Sequence, residues 1–220
     1  NSPDNTVPGV SNYYATTCRE CSAGCGLIAE VRDGRVIKLE GNPEHPLNQG
    51  ALCSRGQAAL QGLYNPDRYR GPMLREGDTL VPVTWERALQ ELDARLSQAS
   101  GLENAVFINQ HESGSFPALL DEWLASRGMP PHVSVDADVN MPAVEAHREA
   151  YGVAWPAHDF TAARLIVSIG ADFLDDWGAV VPQQLSFADA RAKLANAPRF
   201  VYIGSRRSLT GLNADEWIAC

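Results

Sequence analysis

The sequence predicts an α/β protein in two parts. A small β-containing, metal-binding module covers residues 1–75, and an incomplete doubly wound, Rossmann-like parallel-sheet domain covers residues 76–220. Three observations carry this reading. Cys18, Cys21 and Cys25 crowd into eight residues and Cys53 returns from a distance, in the pattern C-x2-C-x3-C-x27-C. Two alternating apolar–polar segments lie between them. From residue 76 onward, short apolar runs alternate with segments of helical period, the pattern of a parallel sheet wrapped on both faces.

The elements follow in order. Residues 1–12 are polar and contain Pro3, Pro8 and Gly9, which predicts an extended arm. L-I-A-E-V-R and R-V-I-K-L-E flank Asp33-Gly34, a hairpin signal of the type I′ kind. The stretch from Gly41 to Gly50 is rich in chain breakers and delivers Cys53. A short helix follows Gly56 and stops at Asn65-Pro66. Thr84 can cap a helix over Trp85–Leu96, with Leu89, Leu92 and Leu96 on one face. A-V-F-I-N reads as a strand, Phe116–Ser126 as a helix with Pro117 in its first turn, H-V-S-V as a strand and Pro142–Tyr151 as a helix. L-I-V-S-I-G is a strand ending at Gly170. A helical stretch capped by Asp175 or Asp176 is expected to break near Pro182 and run to Ala195, and R-F-V-Y-I-G is the last strand.

Bulk properties narrow the function. The net charge is −9, which argues against a nucleic-acid surface, because phosphate must be met by basic residues. The charge is uneven: residues 1–75 carry eight basic and seven acidic side chains, residues 76–220 ten and twenty. No apolar run reaches the length of a membrane helix. Five cysteines are an odd number for a disulfide scaffold. Four clustered thiols suit iron–sulfur or zinc, and Cys220 is a bystander. Zinc sites usually come as two separated pairs, whereas three close ligands plus one suit a cube. The five histidines show no ligand spacing, and His45 reads as loop packing.

At this point the residues resemble a known family. C-x2-C-x3-C, the hairpin around D-G-R, E-G-N-P-E-H-P, G-A-L-C-S-R-G-Q-A, L-Y-N-P-D-R and P-M-L-R are similar to the N-terminus of the molybdopterin oxidoreductases, the relatives of dimethyl sulfoxide reductase. Y-Y-A-T-T-C, G-A-D-F-L and S-L-T-G-L-N-A-D-E-W look most similar to one branch. It includes the large iron–sulfur subunit of alternative complex III, the menaquinone reductase of sulfate reducers and polysulfide-reductase-like subunits. The resemblance implies one 4Fe–4S cluster on Cys18, Cys21, Cys25 and Cys53, with Arg55 as a positive charge on the electron route between cluster and pterin. It implies pterin contacts from Gly170, Asp172, Arg206 and Thr210 if molybdenum or tungsten bis-molybdopterin guanine dinucleotide is bound. It further implies partners among other redox subunits (an iron–sulfur protein, a cytochrome c or a quinone-reactive membrane subunit) and a place in the periplasm or on the outer face of the cytoplasmic membrane. Family catalytic subunits are several times longer, so a fragment, a truncated subunit or a minimal version is expected.

Three departures lean towards a subunit that keeps the cluster and lacks the pterin. No cysteine precedes the helix at 142–151, where Ser134, Asp136, Asp138 and Asn140 are the nearby oxygen ligands. Asp172 stands where the family has a neutral amide. The last strand ends Gly204-Ser205-Arg206 rather than in an acid. The implied function is electron transfer within an oxidoreductase. The alternative is a non-enzymatic structural subunit, with zinc on the four thiols or an idle cluster, that scaffolds other redox proteins.

Overall fold

The computed structural model describes residues 6–21, 23–110, 114–135, 141–192 and 194–220. In chain order the elements are β1 (Ser11–Thr17), β2 (Gly26–Arg32), β3 (Arg35–Gly41), α1 (Ser54–Leu63), β4 (Met73–Glu76), β5 (Thr79–Pro82), α2 (Trp85–Gln98), β6 (Ile108–Gln110), α3 (Phe116–Ser126), β7 (Val133–Val135), α4 (Met141–Tyr151), β8 (Leu165–Ile169), α5 (Val180–Ala192), β9 (Arg199–Ile203), α6 (Leu209–Leu212) and β10 (Glu216–Ile218). By contacts the chain forms two compact units, Asn1–Leu60 with Asp136–Cys220, and Gln61–Val135. This grouping differs from the division at 75/76 read along the sequence.

In the first unit, β1, β2 and β3 form an antiparallel sheet in that order. Tyr13, Tyr14 and the two threonines that follow belong to β1, paired from Ser11 against Arg32 to Thr17 against Gly26. The expected arm is thus a strand over its last two residues, and aromatic and β-branched side chains account for it. The β2–β3 turn has φ of 49° at Asp33 and 77° at Gly34, the type I′ geometry that the sequence predicts. The second sheet of this unit is parallel, with β9 between β8 and β10. Its buried face carries Ile166, Phe200 and Tyr202, which pack with Phe173, Leu174 and Phe187. The rings of Phe173, Phe187 and Phe200 meet edge to face at 5.4–5.6 Å between centroids, a favourable geometry for aromatic quadrupoles.

α5 corrects the sequence reading. It starts at Val180, so Pro182 sits inside its first turn, where the ring is tolerated, and does not break it. Asp175 and Asp176 do not cap it. Their amides, with that of Trp177, donate to the Asp172 carbonyl in a turn ahead of the helix.

The second unit holds the β4–β5 hairpin and the parallel pair β6–β7. The Thr84 hydroxyl accepts from the Arg87 amide, as the expected cap of α2. The amide of His132 donates to Asp121 at 2.9 Å, which ties the start of β7 to α3. Asp136, Asp138 and Asn140 lie outside the described residues, and Ser134 is exposed on β7.

Candidate metal centre

Backbone geometry brings the cysteines together. β1 ends at Thr17 and β2 begins at Gly26, so Cys18 and Cys25 leave neighbouring strands, and the Cys18 amide donates to the Cys25 carbonyl at 2.8 Å. Cys53 is delivered by the loop after β3. The residue that fixes this loop is Asn48, whose side chain is fully buried. Its Oδ1 accepts from the Gly26 amide at 2.9 Å, and its Nδ2 donates to the carbonyls of Gly26 (2.9 Å) and Ala51 (2.8 Å). One amide side chain therefore clasps the backbone beside Cys25 to the backbone two residues before Cys53. The sequence reading does not single out Asn48. An Asn inside a breaker-rich loop reads as a turn residue, and nothing local reveals partners 22 residues away.

All four cysteines are free thiols, and they line one cavity of about 390 Å³. Its wall also includes Glu20, Ser54, Arg55, Asp175 and Gln184. Arg55 thus stands in the same chamber as the sulfurs. Its place follows from α1, which begins one residue after Cys53. Cys18 and Cys25 are buried and belong to one packed cluster with Leu27, Leu39 and Val181.

Burial pushes the Cys25 thiol up to about 11, and the charges that Cys21, Cys18 and Cys53 would carry add to the shift. Burial likewise raises Cys18, against a backbone hydrogen bond from Glu20 that lowers it. Two buried thiols whose ionisation the neighbouring sulfurs oppose belong to a donor set for a cationic centre, since iron or zinc among the sulfurs reverses the sign of that interaction. Among the described residues, no three His, Cys, Asp or Glu side chains converge tightly enough for one metal ion; the thiols line a chamber instead. The donor set and the chamber fit an iron–sulfur cluster.

The residues expected near a pterin meet in a different way. Asp172 is buried. It accepts from the Ser208 hydroxyl and from Arg206 at 3.1 Å, and Arg206 also lies 3.8 Å from Asp176. Thr210 is fully buried, and its hydroxyl accepts from the Leu174 amide at 3.2 Å. Gly170 follows β8 with φ of 65°, its amide donating to the Ile203 carbonyl. Asp172 and Arg206 are thus paired, the carboxylate answering the guanidinium, while the Thr210 hydroxyl is engaged by the Leu174 amide. The next acid in the same motif, Asp215, accepts two hydrogen bonds from Arg191 and one from the Phe200 amide. It locks α5 to the parallel sheet.

Residues 11–65 match the molybdopterin oxidoreductase Fe4S4 domain, and residues 68–220 match the molybdopterin oxidoreductase domain. The chain belongs to the molybdopterin oxidoreductase family. The two matched domains are those of a 4Fe–4S cluster and of molybdopterin, so the departures at Asp172 and Arg206 do not take the chain out of the molybdopterin domain. It is 28% identical over 214 residues to the menaquinone reductase molybdopterin-binding-like subunit of Nitratidesulfovibrio vulgaris, covering 96% of this chain and 31% of that protein. It is 27% identical to a sulfite dehydrogenase subunit of Allochromatium vinosum, covering 99% and 23%. It is 26% identical to the molybdopterin-containing subunit of the arsenate respiratory reductase of a Shewanella species, covering 96% and 26%. The chain thus spans between 23% and 31% of the length of these relatives.

Proposed function

We propose that this chain carries electrons through a 4Fe–4S cluster held by Cys18, Cys21, Cys25 and Cys53, as part of the large subunit of a multi-subunit respiratory oxidoreductase. The observation that carries the reading is the meeting of the four free thiols around one chamber, with Arg55 in its wall. When bound, the cluster supplies a one-electron station whose potential depends on charge, hydrogen bonds and burial. The chain's own residues do the rest. The thiolates hold the cluster, the apolar shell of Leu27, Leu39 and Val181 limits water, and the Arg55 guanidinium favours arrival of negative charge.

The relatives support a place among respiratory redox subunits, the partner being an iron–sulfur protein, a cytochrome c or a quinone-reactive membrane subunit. That setting is the periplasm or the outer face of the cytoplasmic membrane. Among the described residues no helix is long and apolar enough to cross a membrane. The test is metal and sulfide analysis of the full protein together with electron paramagnetic resonance after dithionite reduction. Iron and inorganic sulfide in equal amounts and a reduced-cluster signal are expected. Zinc alone, with no signal, overturns the reading.

A further inference from the structure

We propose that the first turn of α5 is the electrostatic floor of the cysteine chamber, its amides at Val180 and Val181 donating to the sulfur of the cluster and raising its reduction potential. This rests on the cluster reading above and adds a residue set that lies more than a hundred positions from the cysteines.

Val180, Val181 and Gln184 line the chamber together with the four thiols, and Val181 packs in the same buried cluster as Cys18 and Cys25. A helix leaves its first amides without intrahelical acceptors, and they carry the positive end of its dipole. In α5, Pro182 has no amide hydrogen and the Gln183 amide donates to the Ala179 carbonyl. That leaves Val180 and Val181. Among the described residues neither amide has an acceptor. The residue before the helix is Ala179, which has no side-chain oxygen to cap them. Both valines are buried, at 6% and 3% exposure. Buried backbone donors are almost always paired. The neighbouring chamber is ringed by sulfur acceptors that gain negative charge once they ligate iron.

The donors are also held in place. Gly178 has φ of 78°, and a Cβ there would run into the Trp155 ring, so Trp155 packs directly on the backbone that enters the helix. Gln184 donates to the Leu174 carbonyl at 2.7 Å, which ties α5 to the preceding segment of the same wall. Fixed dipoles aimed at a site need no reorganisation when charge arrives, so they favour the reduced state.

The test is a redox titration followed by electron paramagnetic resonance on the full, cluster-loaded protein, with the rate of iron loss to a chelator as a second readout. Val180→Pro deletes one donor at the helix position that best tolerates proline, and Val180→Ala trims the side chain but keeps the amide. The expected result is about a tenfold shift of the reduction equilibrium towards the oxidised cluster in Val180→Pro, about 59 mV for a one-electron couple, with faster iron loss. Val180→Ala keeps the parent potential. Ala179→Asp supplies a competing cap and is expected to raise the melting temperature of the iron-free protein while lowering the cluster potential. Equal potentials in Val180→Pro and Val180→Ala overturn the proposal. Should Val180→Pro not fold, an unmoved potential in Ala179→Asp overturns it instead. A parent protein without iron and sulfide removes the cluster reading, and this inference with it; a loaded parent with unmoved variants removes the inference alone.

Discussion

The first unit contains two buried cores built on opposite plans. Behind β8–β9–β10 the space is filled: Phe173, Phe187, Phe200 and Tyr202 interlock, and Phe200 is wholly inaccessible to solvent. Between β2, α1 and the start of α5 the side chains are smaller, and the centre is a chamber lined by four thiols. A packed aromatic core derives its stability from surface removed from water. A core with an open centre forgoes part of that term and is held by directed bonds instead. Here they are the Cys18–Cys25 backbone bond and the three hydrogen bonds of Asn48. The difference teaches where each core is vulnerable: one to loss of volume, the other to loss of a single polar clasp.

Phe200→Ala is the strongest attack on the filled core. It should cost about 3–5 kcal/mol in urea unfolding, since a cavity is left among rings that relax only in part. The iron content of the protein that remains folded should not change. If iron is lost in step with stability, the two cores are not separable. Asn48→Ala strikes the clasp: the Gly26 amide and the Ala51 carbonyl lose their Asn48 partner, while the Gly26 carbonyl keeps the Asn42 amide. A loss of about 2–4 kcal/mol is expected, and here iron should leave far faster under chelation; unchanged iron retention would show that the clasp does not position Cys53. Cys21→Ser sharpens the contrast from the other side. It should abolish the reduced-cluster signal, while the iron-free variant unfolds within about 0.5 kcal/mol of the iron-free parent, because Cys21 is only half-buried. A signal that survives means Cys21 is not a ligand.

The smallest effect is electrostatic. Arg191, then the Phe200 amide, hold the Asp215 carboxyl at about 2, below its ordinary 3.8. The carboxylate form is therefore favoured in the folded state. Its contribution to stability is complete above pH 3.8 and is lost as the pH falls through about 2. Both side chains are partly exposed, so solvent screens the gain. Unfolding midpoints measured across that range should fall with acid in the parent and fall less steeply in Asp215→Asn. Parallel slopes would remove Asp215 from the account of the filled core.

Much of this is legible in the sequence because the signals are local. Asp33-Gly34 states its own turn, Thr84 its own cap, alternating segments mark β2 and β3, and short apolar runs mark β8 and β9. The C-x2-C-x3-C spacing is likewise a property of one short loop. What escapes depends mostly on partners far along the chain. Acids at 175 and 176 look like caps of α5 until the Asp172 carbonyl is seen gathering their amides. Asp172 and Arg206 are 34 residues apart, and no periodicity announces that they pair. The contribution of α5 to the cysteine chamber is invisible to a division of the chain at residue 75. The β4–β5 hairpin is the exception: its Gly77-Asp78 turn is a local signal, with apolar residues on both sides, that the sequence reading passes over.

The Asn48 clasp bears on how this protein matures. Every atom in it belongs to the polypeptide, so the bonds that draw the Cys53 loop towards Cys25 include no metal ligand. Domains of the zinc-finger kind acquire their shape from the ion they bind. Here the Cys53 loop has, besides its thiol, a polypeptide clasp of its own. A berth braced in this way is suited to receiving an inorganic cube assembled on a carrier and handed over whole.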